Sequence, residues 1–297
     1  MTFHKILCAT DFSRGAEQAL RVAARIAGDA SAELVIVHAT YLPPSAFAGE
    51  LPFPTEAIRQ MAEDTQRDLE AATRAAIELG AKRVTAQPLV NGPPWLRIVE
   101  TLEQDPAYDL VVMGTQGRTG LARVLLGSVA EKVVRHAPCP VLTIRPDSKL
   151  EPFTNALCPV DFSDSARRAV DLAGTLVAPN GKITLLHVIE APVAFSGEPL
   201  APAFLQDLSK RSADLLEHWA ARLREQVAVP VLIRSRVGNA GAQTLAVLHE
   251  DPTFDLVTMG SHGRTGIRRA LIGSVAEKIV RHAPCPVLVA HGREGAH

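Results

Sequence analysis

A long internal repeat constrains this chain more than any other feature. The segment Asp109 to Leu142 returns as Asp255 to Leu288 at a constant offset of 146, with 26 of 34 positions identical. The starts agree too: Cys8-Ala-Thr-Asp-Phe-Ser13 corresponds to Cys158-Pro-Val-Asp-Phe-Ser163 at an offset of 150. A repeat near 150 residues is the size of a whole domain, too long for a solenoid unit, so the 297 residues read as two copies of one domain. The join falls in the polar, proline-flanked stretch between Pro146 and Pro152, which places the domains at 1–147 and 152–292.

Each copy alternates short aliphatic runs with helix-length segments. In the first copy the runs are Lys5–Ala9, Glu33–Ala39, Arg83–Val90, Asp109–Met113 and Pro140–Ile144. Continuous apolar runs of this length predict parallel strands buried on both faces. Between them, Ser13–Gly28, Thr55–Gly80 and Pro93–Gln104 carry Ala, Leu and charge at helical spacing, and a fourth helix begins near Ser128. The expected fold class is therefore α/β, with two tandem doubly wound five-stranded parallel sheets. The unusual residues cluster after the first and fourth strands, where ligands bind in open parallel sheets. One ligand reaches both clusters if those strands are neighbours, which with right-handed crossovers gives the order 3-2-1-4-5.

Composition narrows the function. Charge is balanced, 31 basic against 32 acidic residues, and neither half has the basic excess of a nucleic-acid binder. No apolar stretch approaches a membrane span, and Asp11 interrupts the first apolar run too early for a signal peptide. Nucleic acid and membrane are thus not expected partners. Cys8, Cys139, Cys158 and Cys285 show no metal-ligand spacing and read as buried, reduced thiols, hence a cytoplasmic location.

After the fourth strand comes Gly114-Thr-Gln-Gly117, nine residues, then Gly127-Ser128; the second copy has Gly260-Ser-His-Gly263, nine residues, then Gly273-Ser274. Glycines admit an anion close to the backbone, and a helix opening at Ser128 or Ser274 offers free N–H groups to phosphate. Neither a Walker A motif nor GxGxxG is present. This pattern, together with Asp11 and Asp161 after the first strands, resembles the ATP-binding branch of the universal stress protein family in tandem form.

The resemblance implies a Rossmann-like fold of the adenine nucleotide α-hydrolase type, ATP with Mg²⁺ as ligand, and roles for particular residues. Ala9, Thr10 and Asp11, and in the second copy Pro159, Val160 and Asp161, would meet ribose and phosphates. Ala39 and Val188 would hydrogen-bond adenine through their backbones, and Met113 and Met259 would line its pocket. Gly114, Gln116, Gly117, Gly127, Ser128 and Val129 would cradle phosphates, as would Gly260, His262, Gly263, Gly273, Ser274 and Val275. Two positions depart from the family pattern: Ala9 stands for the usual proline, and Gln116 for a frequent histidine.

Other readings of the same residues remain open. Ser128-Val-Ala-Glu131 and Ser274-Val-Ala-Glu277 spell capping boxes, so the serines are helix caps, with or without a phosphate contact. Asp11 and Asp161 either shape a turn or face the ligand. Arg118 and Arg264 either reach phosphate or lie on the surface. His38 and His187 read as satisfied core residues, and Trp95 and Trp219 as packing residues at non-equivalent positions. The loops Tyr41–Pro54 and Ala191–Pro202 read as a lid or a plain connection. The resemblance implies a nucleotide-dependent sensor or regulator of the stress response that is not an enzyme, set against a slow ATPase or other ATP-using enzyme. It also implies a homodimer with four domains and an unidentified protein partner.

Overall fold

The computed structural model describes residues 2–40, 55–116, 126–148, 152–190, 202–263 and 272–291. The chain divides into two compact units, Thr2–Leu150 and Glu151–His297. In the first, strands β1 (Lys5–Thr10), β2 (Glu33–Ala39), β3 (Arg83–Leu89), β4 (Leu110–Gly114) and β5 (Val141–Ile144) alternate with helices. Those helices are α1 (Arg14–Ala30), α2 (Thr55–Glu78), α3 (Pro94–Gln104) and α4 (Ser128–His136). Every pairing is parallel and the order is β3-β2-β1-β4-β5, as the two ligand-end clusters require.

The second unit repeats the plan with β6 (Phe153–Pro159), β7 (Val177–Ile189), β8 (Val231–Val237), β9 (Leu256–Gly260) and β10 (Val287–Ala290). Its helices are α5 (Asp164–Leu176), α6 (Pro202–Arg224), α7 (Ala240–Glu250) and α8 (Ser274–His282). The order is β8-β7-β6-β9-β10, again all parallel. In each unit the chain crosses over twice in one direction along the sheet and twice in the other, so right-handed connections put two helices on each face. Accordingly α1 packs beside α2 and α3 beside α4, with the same pairing of α5 with α6 and α7 with α8.

The cores are aliphatic. Ile6, Leu7 and Cys8 on β1, Leu110, Val111 and Val112 on β4, and their counterparts Ala156 to Cys158 on β6 are wholly buried. Helix α1 lies close to the sheet because its inner face is built of small residues: Gly15, Ala16, Ala19, Ala23 and Ala27 are all buried. Ser13 caps its start, and Ser31 in a left-handed conformation (φ 53°) ends it.

One expectation fails. Strands β3 and β8 are not buried on both faces; most of their residues are exposed or half-buried. Both are edge strands, each paired on one side only within its unit, and each alternates instead of burying a continuous run.

All four cysteines are free and buried. Burial raises the thiol pKa of Cys8 to about 12, and that of Cys158 to about 12 despite a 3.0 Å contact with the Thr258 hydroxyl. Only the thiolate is nucleophilic, so both thiols stay inert well above neutral pH. Native protein at pH 8 should therefore show almost no reaction with a thiol-specific chromophoric reagent at these two positions, and full reaction of all four after denaturation. Peptide mapping after native labelling would check this.

Candidate functional site

The site begins where β1 ends. The Phe12 N–H donates to the Thr10 hydroxyl (3.0 Å) and the Ser13 N–H to a carboxylate oxygen of Asp11 (3.1 Å), folding the chain sharply before α1. Phe12 itself is left-handed (φ 60°), as is Phe162 (φ 67°). A bulky residue in that region costs roughly 1–3 kcal/mol and persists only where its surroundings enforce it. Here its ring rests on an imidazole: Phe12 lies 4.6 Å from His38 and Phe162 lies 4.5 Å from His187, centroid to centroid. Both histidines donate from Nδ1 to a backbone carbonyl of the same turn, Thr10 or Val160, at 2.8 Å. They are satisfied structural residues.

Ser13 then links this turn to the glycine motif. Its hydroxyl accepts the Ala16 N–H (3.3 Å) and donates to the Gln116 carbonyl (3.4 Å). In the second unit Ser163 donates to Asp161 (2.6 Å), and Ser165 donates to the His262 carbonyl (2.7 Å). Asp11 and Asp161 thus do shape the turn, each with one carboxylate oxygen accepting the serine N–H two residues on.

The glycines divide into two groups. A Cβ on Gly114 would lie 2.8 Å from the backbone of Gly15, and one on Gly260 only 2.4 Å from the Ser165 hydroxyl. These first glycines admit the start of α1 or α5 against the strand end. Gly127 and Gly273 act differently. Their N–H groups donate to Thr115 (2.7 Å) and Ser261 (2.8 Å), closing each nine-residue loop back onto the strand it left. Both have ordinary extended dihedrals and serve as N-caps of α4 and α8, and neither helix has a side-chain cap.

That last observation corrects the capping-box reading. Ser128 and Ser274 are the first helical residues, one position too late to cap. Helices α1, α5 and α7 are capped by Ser13, Ser163 and Asn239, whereas the opening N–H groups of α4 and α8 receive no side-chain oxygen. An uncapped helix start concentrates free donors and the positive end of the dipole.

In the first unit these elements enclose a cavity of about 280 Å³. It is lined by Ala9, Thr10, Asp11, Ala39, Met113, Gly114, Gln116, Gly127, Ser128 and Val129, all of them expected from the sequence. Its volume falls just below the roughly 300–1,000 Å³ typical of small-molecule sites. Val37, Ala39, Pro94 and Ile98 bring apolar surface from β2 and α3, while Thr10, Asp11, Thr115 and Gln116 bring polar groups from the ends of β1 and β4. Asp11 is the one carboxylate in this lining, which holds no lysine or arginine among the described residues. Sequence reasoning missed Ala16, Val37, Pro94, Ile98, Thr115 and Ala130. A signal for α3 existed in the right-handed crossover, which returns that helix over the pocket face; Thr115 lay unremarked inside the quoted motif. Gly117, Arg118 and Arg264 lie outside the described residues, as do 41–54 and 191–201.

Among the described residues, each unit has one buried side-chain polar atom without a hydrogen-bond partner at the glycine end. The Thr115 hydroxyl is buried with no hydrogen-bond partner among the described residues. At the same place in the second unit Ser261 bonds Nδ1 of His262 (2.8 Å), and it is His262 Nε2 that is buried and unpartnered. A buried polar group left so costs on the order of 1–3 kcal/mol unless a ligand or water satisfies it. Gly263 follows directly, and a Cβ there would lie 2.9 Å from Asp161 Oδ2, which brings the aspartate and the glycine motif together. Met259, Val160 and Val188 are buried around the same strand ends. Pro159 lacks an N–H, and β6 pairs with β9 only as far as Leu157, whereas β1 pairs with β4 through Ala9.

The fold and these strand-end sites define a tandem α/β protein of the doubly wound class. A profile of the universal stress protein family matches residues 2–145 and again residues 152–291, and the chain belongs to that family. A universal stress protein of Mycobacterium tuberculosis is 30% identical over 259 residues, covering 81% of each chain. One from Methanocaldococcus jannaschii is 37% identical over 152 residues, 50% of this chain and 85% of its own length. Among solved structures, a universal stress protein from Archaeoglobus fulgidus superposes with a TM-score of 0.72 at 21% identity, covering 97% of this chain and 98% of that one. This last likeness is one of fold.

The serine caps join the β1 turn to the glycine motif, so their loss should be measurable in stability. Ser13→Ala removes an N-cap and should cost about 1 kcal/mol by urea denaturation. Ser163→Ala, whose hydroxyl also serves Asp161, should cost at least as much.

Proposed function

We propose that each unit binds ATP, with Mg²⁺ accompanying the nucleotide, and that the protein is a nucleotide-dependent sensor or regulator of the stress response. The observation that carries this is the uncapped start of α4 opening on a cavity that is apolar toward β2 and α3 and polar toward β4. The apolar part suits adenine, with Met113 and Ile98 against the base and the Ala39 backbone within reach of its edge. Thr10 and Asp11 would meet ribose and phosphate. Gly127, Ser128 and Val129, with the buried Thr115 hydroxyl, would hold phosphate oxygens. In the second unit Gly260, Gly273, Ser274 and Val275 take these places, His262 Nε2 supplies the buried group, and Asp161 stands for Asp11. Magnesium would neutralise phosphate charge beside these aspartates; among the described residues no cluster of three or more His, Cys, Asp or Glu is present to hold a metal by itself.

Binding in place of turnover is favoured by what the first cavity contains. Fast phosphoryl transfer needs a phosphate cation, a firm metal site and a group that orients the nucleophile. Among the described residues, the lining of that cavity has one carboxylate, Asp11, and no lysine or arginine. The buried reduced thiols fit a reducing compartment, the cytoplasm, and a homodimer of four domains with an unidentified protein partner completes the proposal.

Millimolar Mg-ATP should raise the melting temperature. At a Kd near 1 μM, ~1 mM ATP adds roughly 4 kcal/mol per site. Gly127→Val with Gly273→Val should remove that shift, read against the variant's own unliganded melting point. Valine adopts the extended dihedrals of both positions but is a poorer N-cap, with a Cβ 3.3 Å from the Ser261 carbonyl at position 273, so that baseline falls somewhat. A normal shift in the double variant would refute the phosphate assignment; no shift in the wild type would refute ATP binding.

Hydrolysis should be far below the ordinary enzyme median of ~10 s⁻¹. Turnover near that value, abolished by Asp11→Asn with Asp161→Asn, would instead establish an ATPase.

A further inference from the structure

The larger cavity of the first unit is not the one beside the glycine motif. It measures about 750 Å³ and lies on the opposite face of the sheet, between α1 and α2. Phe12, Leu20, Ala72, Ala75 and Leu79 give it an apolar lining. Three carboxylates, Glu17, Asp68 and Glu78, border it with one guanidinium, Arg21. None of these four side chains forms an ion pair or hydrogen bond among the described residues.

The second unit shows what belongs in such a space. Helices α2 and α6 share a register: buried Leu69 and Ala76 correspond to buried Leu216 and Leu223. In that register Ala72 corresponds to Trp219, and Ala75 to Arg222. The Trp219 ring packs edge-on against Phe162 at 5.6 Å, and the Arg167 guanidinium sits 5.9 Å from its centroid. Phe12 is the counterpart of Phe162, with the same left-handed backbone and the same histidine beneath it. The first unit therefore keeps the aromatic floor but has a methyl group where the second has an indole. Its charge also differs: Glu17 stands where Arg167 supplies a cation, Asp68 replaces the neutral Leu215, and Arg21 stands where the second unit has Asp171.

We propose that this groove is a second ligand site, specific to the first unit, for a small aromatic amine. The ring takes the place that Trp219 fills in the other unit, edge-on to Phe12, and the ammonium lies on the side of Glu17 and Asp68, the positions that Arg167 and Leu215 occupy there. Glu78, ~15 Å further along α2, lines the far end of the groove. An aromatic body buries large area for little conformational cost, and the carboxylates select a cation over an anion of the same shape. The site lies apart from the cavity at the glycine motif and touches it only through Thr10, which borders both. It stands whether or not that cavity binds ATP.

The test uses the full-length protein without nucleotide and 5-fluorotryptamine as probe, followed by ¹⁹F NMR, with 5-fluoroindole-3-acetate as the anionic control. Saturable binding of the amine is expected, with the anion at least ~10-fold weaker, equivalent to about 1.4 kcal/mol. Ala72→Trp copies a residue that the second unit accommodates and should abolish binding. Asp68→Asn, on an exposed helix position, should fold normally and weaken the amine ~2- to 5-fold, the range expected of one partly exposed charge. No saturable binding by the wild type at millimolar probe overturns the proposal. So does equal binding of amine and anion, or unchanged binding by Ala72→Trp or by Asp68→Asn.

Discussion

The closest backbone approach at the site, that of α1 to the end of β4, sets the positions of everything around it. With a Cβ on Gly114 coming within 2.8 Å of Gly15, and one on Gly15 within 2.9 Å of the Gln116 carbonyl, no side chain fits between helix and strand on either side. This contact lets Ser13 cap α1 and reach Gln116 at once, so the β1 turn and the glycine loop share one hydroxyl. The second unit reaches the same result with Ser165 in place of Gly15, its hydroxyl donating to His262. The first glycine of the motif is thus explained by packing alone. The groups suited to an anion lie at its far end, where Gly127 and Gly273 close their loops and expose the starts of α4 and α8.

Much of this was legible in the sequence. The aliphatic runs marked every strand of the first unit to within a residue or two, and the demand that Asp11 and Gly114 serve one ligand gave the strand order. Ten expected residues line the first cavity. The helix start was not legible in detail, because a Ser-x-x-Glu pattern does not reveal whether the serine caps the helix or opens it. Loop closure decides that: with Gly127 bonded to Thr115, the glycine becomes the cap and Ser128 moves inside. Edge exposure was visible but misread. Arg83–Val90 reads as a continuous apolar run, yet Arg83, Thr85 and Gln87 alternate with Val84, Ala86 and Pro88, and the strand, paired on one side only within its unit, turns those polar residues to solvent. Pro94 and Ile98 follow from the same right-handed crossover rule that gave the strand order, once it is applied to the helix between β3 and β4.

Comparison of the two units separates what the glycine-motif face requires from what is negotiable. Thr10 becomes Val160, and the hydroxyl that supports Phe12 in the first unit has no counterpart under Phe162; the left-handed turn survives because the histidine–phenylalanine stack remains. Ala9 becomes Pro159, which ends the β6–β9 ladder two residues sooner than its counterpart. Thr115 and Gln116 become Ser261 and His262, and the buried unpartnered atom passes from hydroxyl to imidazole. Side chains vary here, but the backbone donors and the loop closure do not.

The other face follows a different rule. Between α1 and α2, and between α5 and α6, the structure demands only that space be filled or left as a groove; no backbone group must point at anything. Ala72 and Trp219 therefore satisfy the same fold, since each sits one turn from the buried leucine that anchors its helix. The indole is held by Phe162 and Arg167, and the alanine leaves Phe12 beside a row of carboxylates. A tandem chain can keep two equivalent backbone cradles on one side of its sheets while making the opposite sides chemically distinct. The strand-end geometry constrains one face through hydrogen bonds, and packing constrains the other only through volume, so it is on the α1–α2 face that the two units have become different in kind.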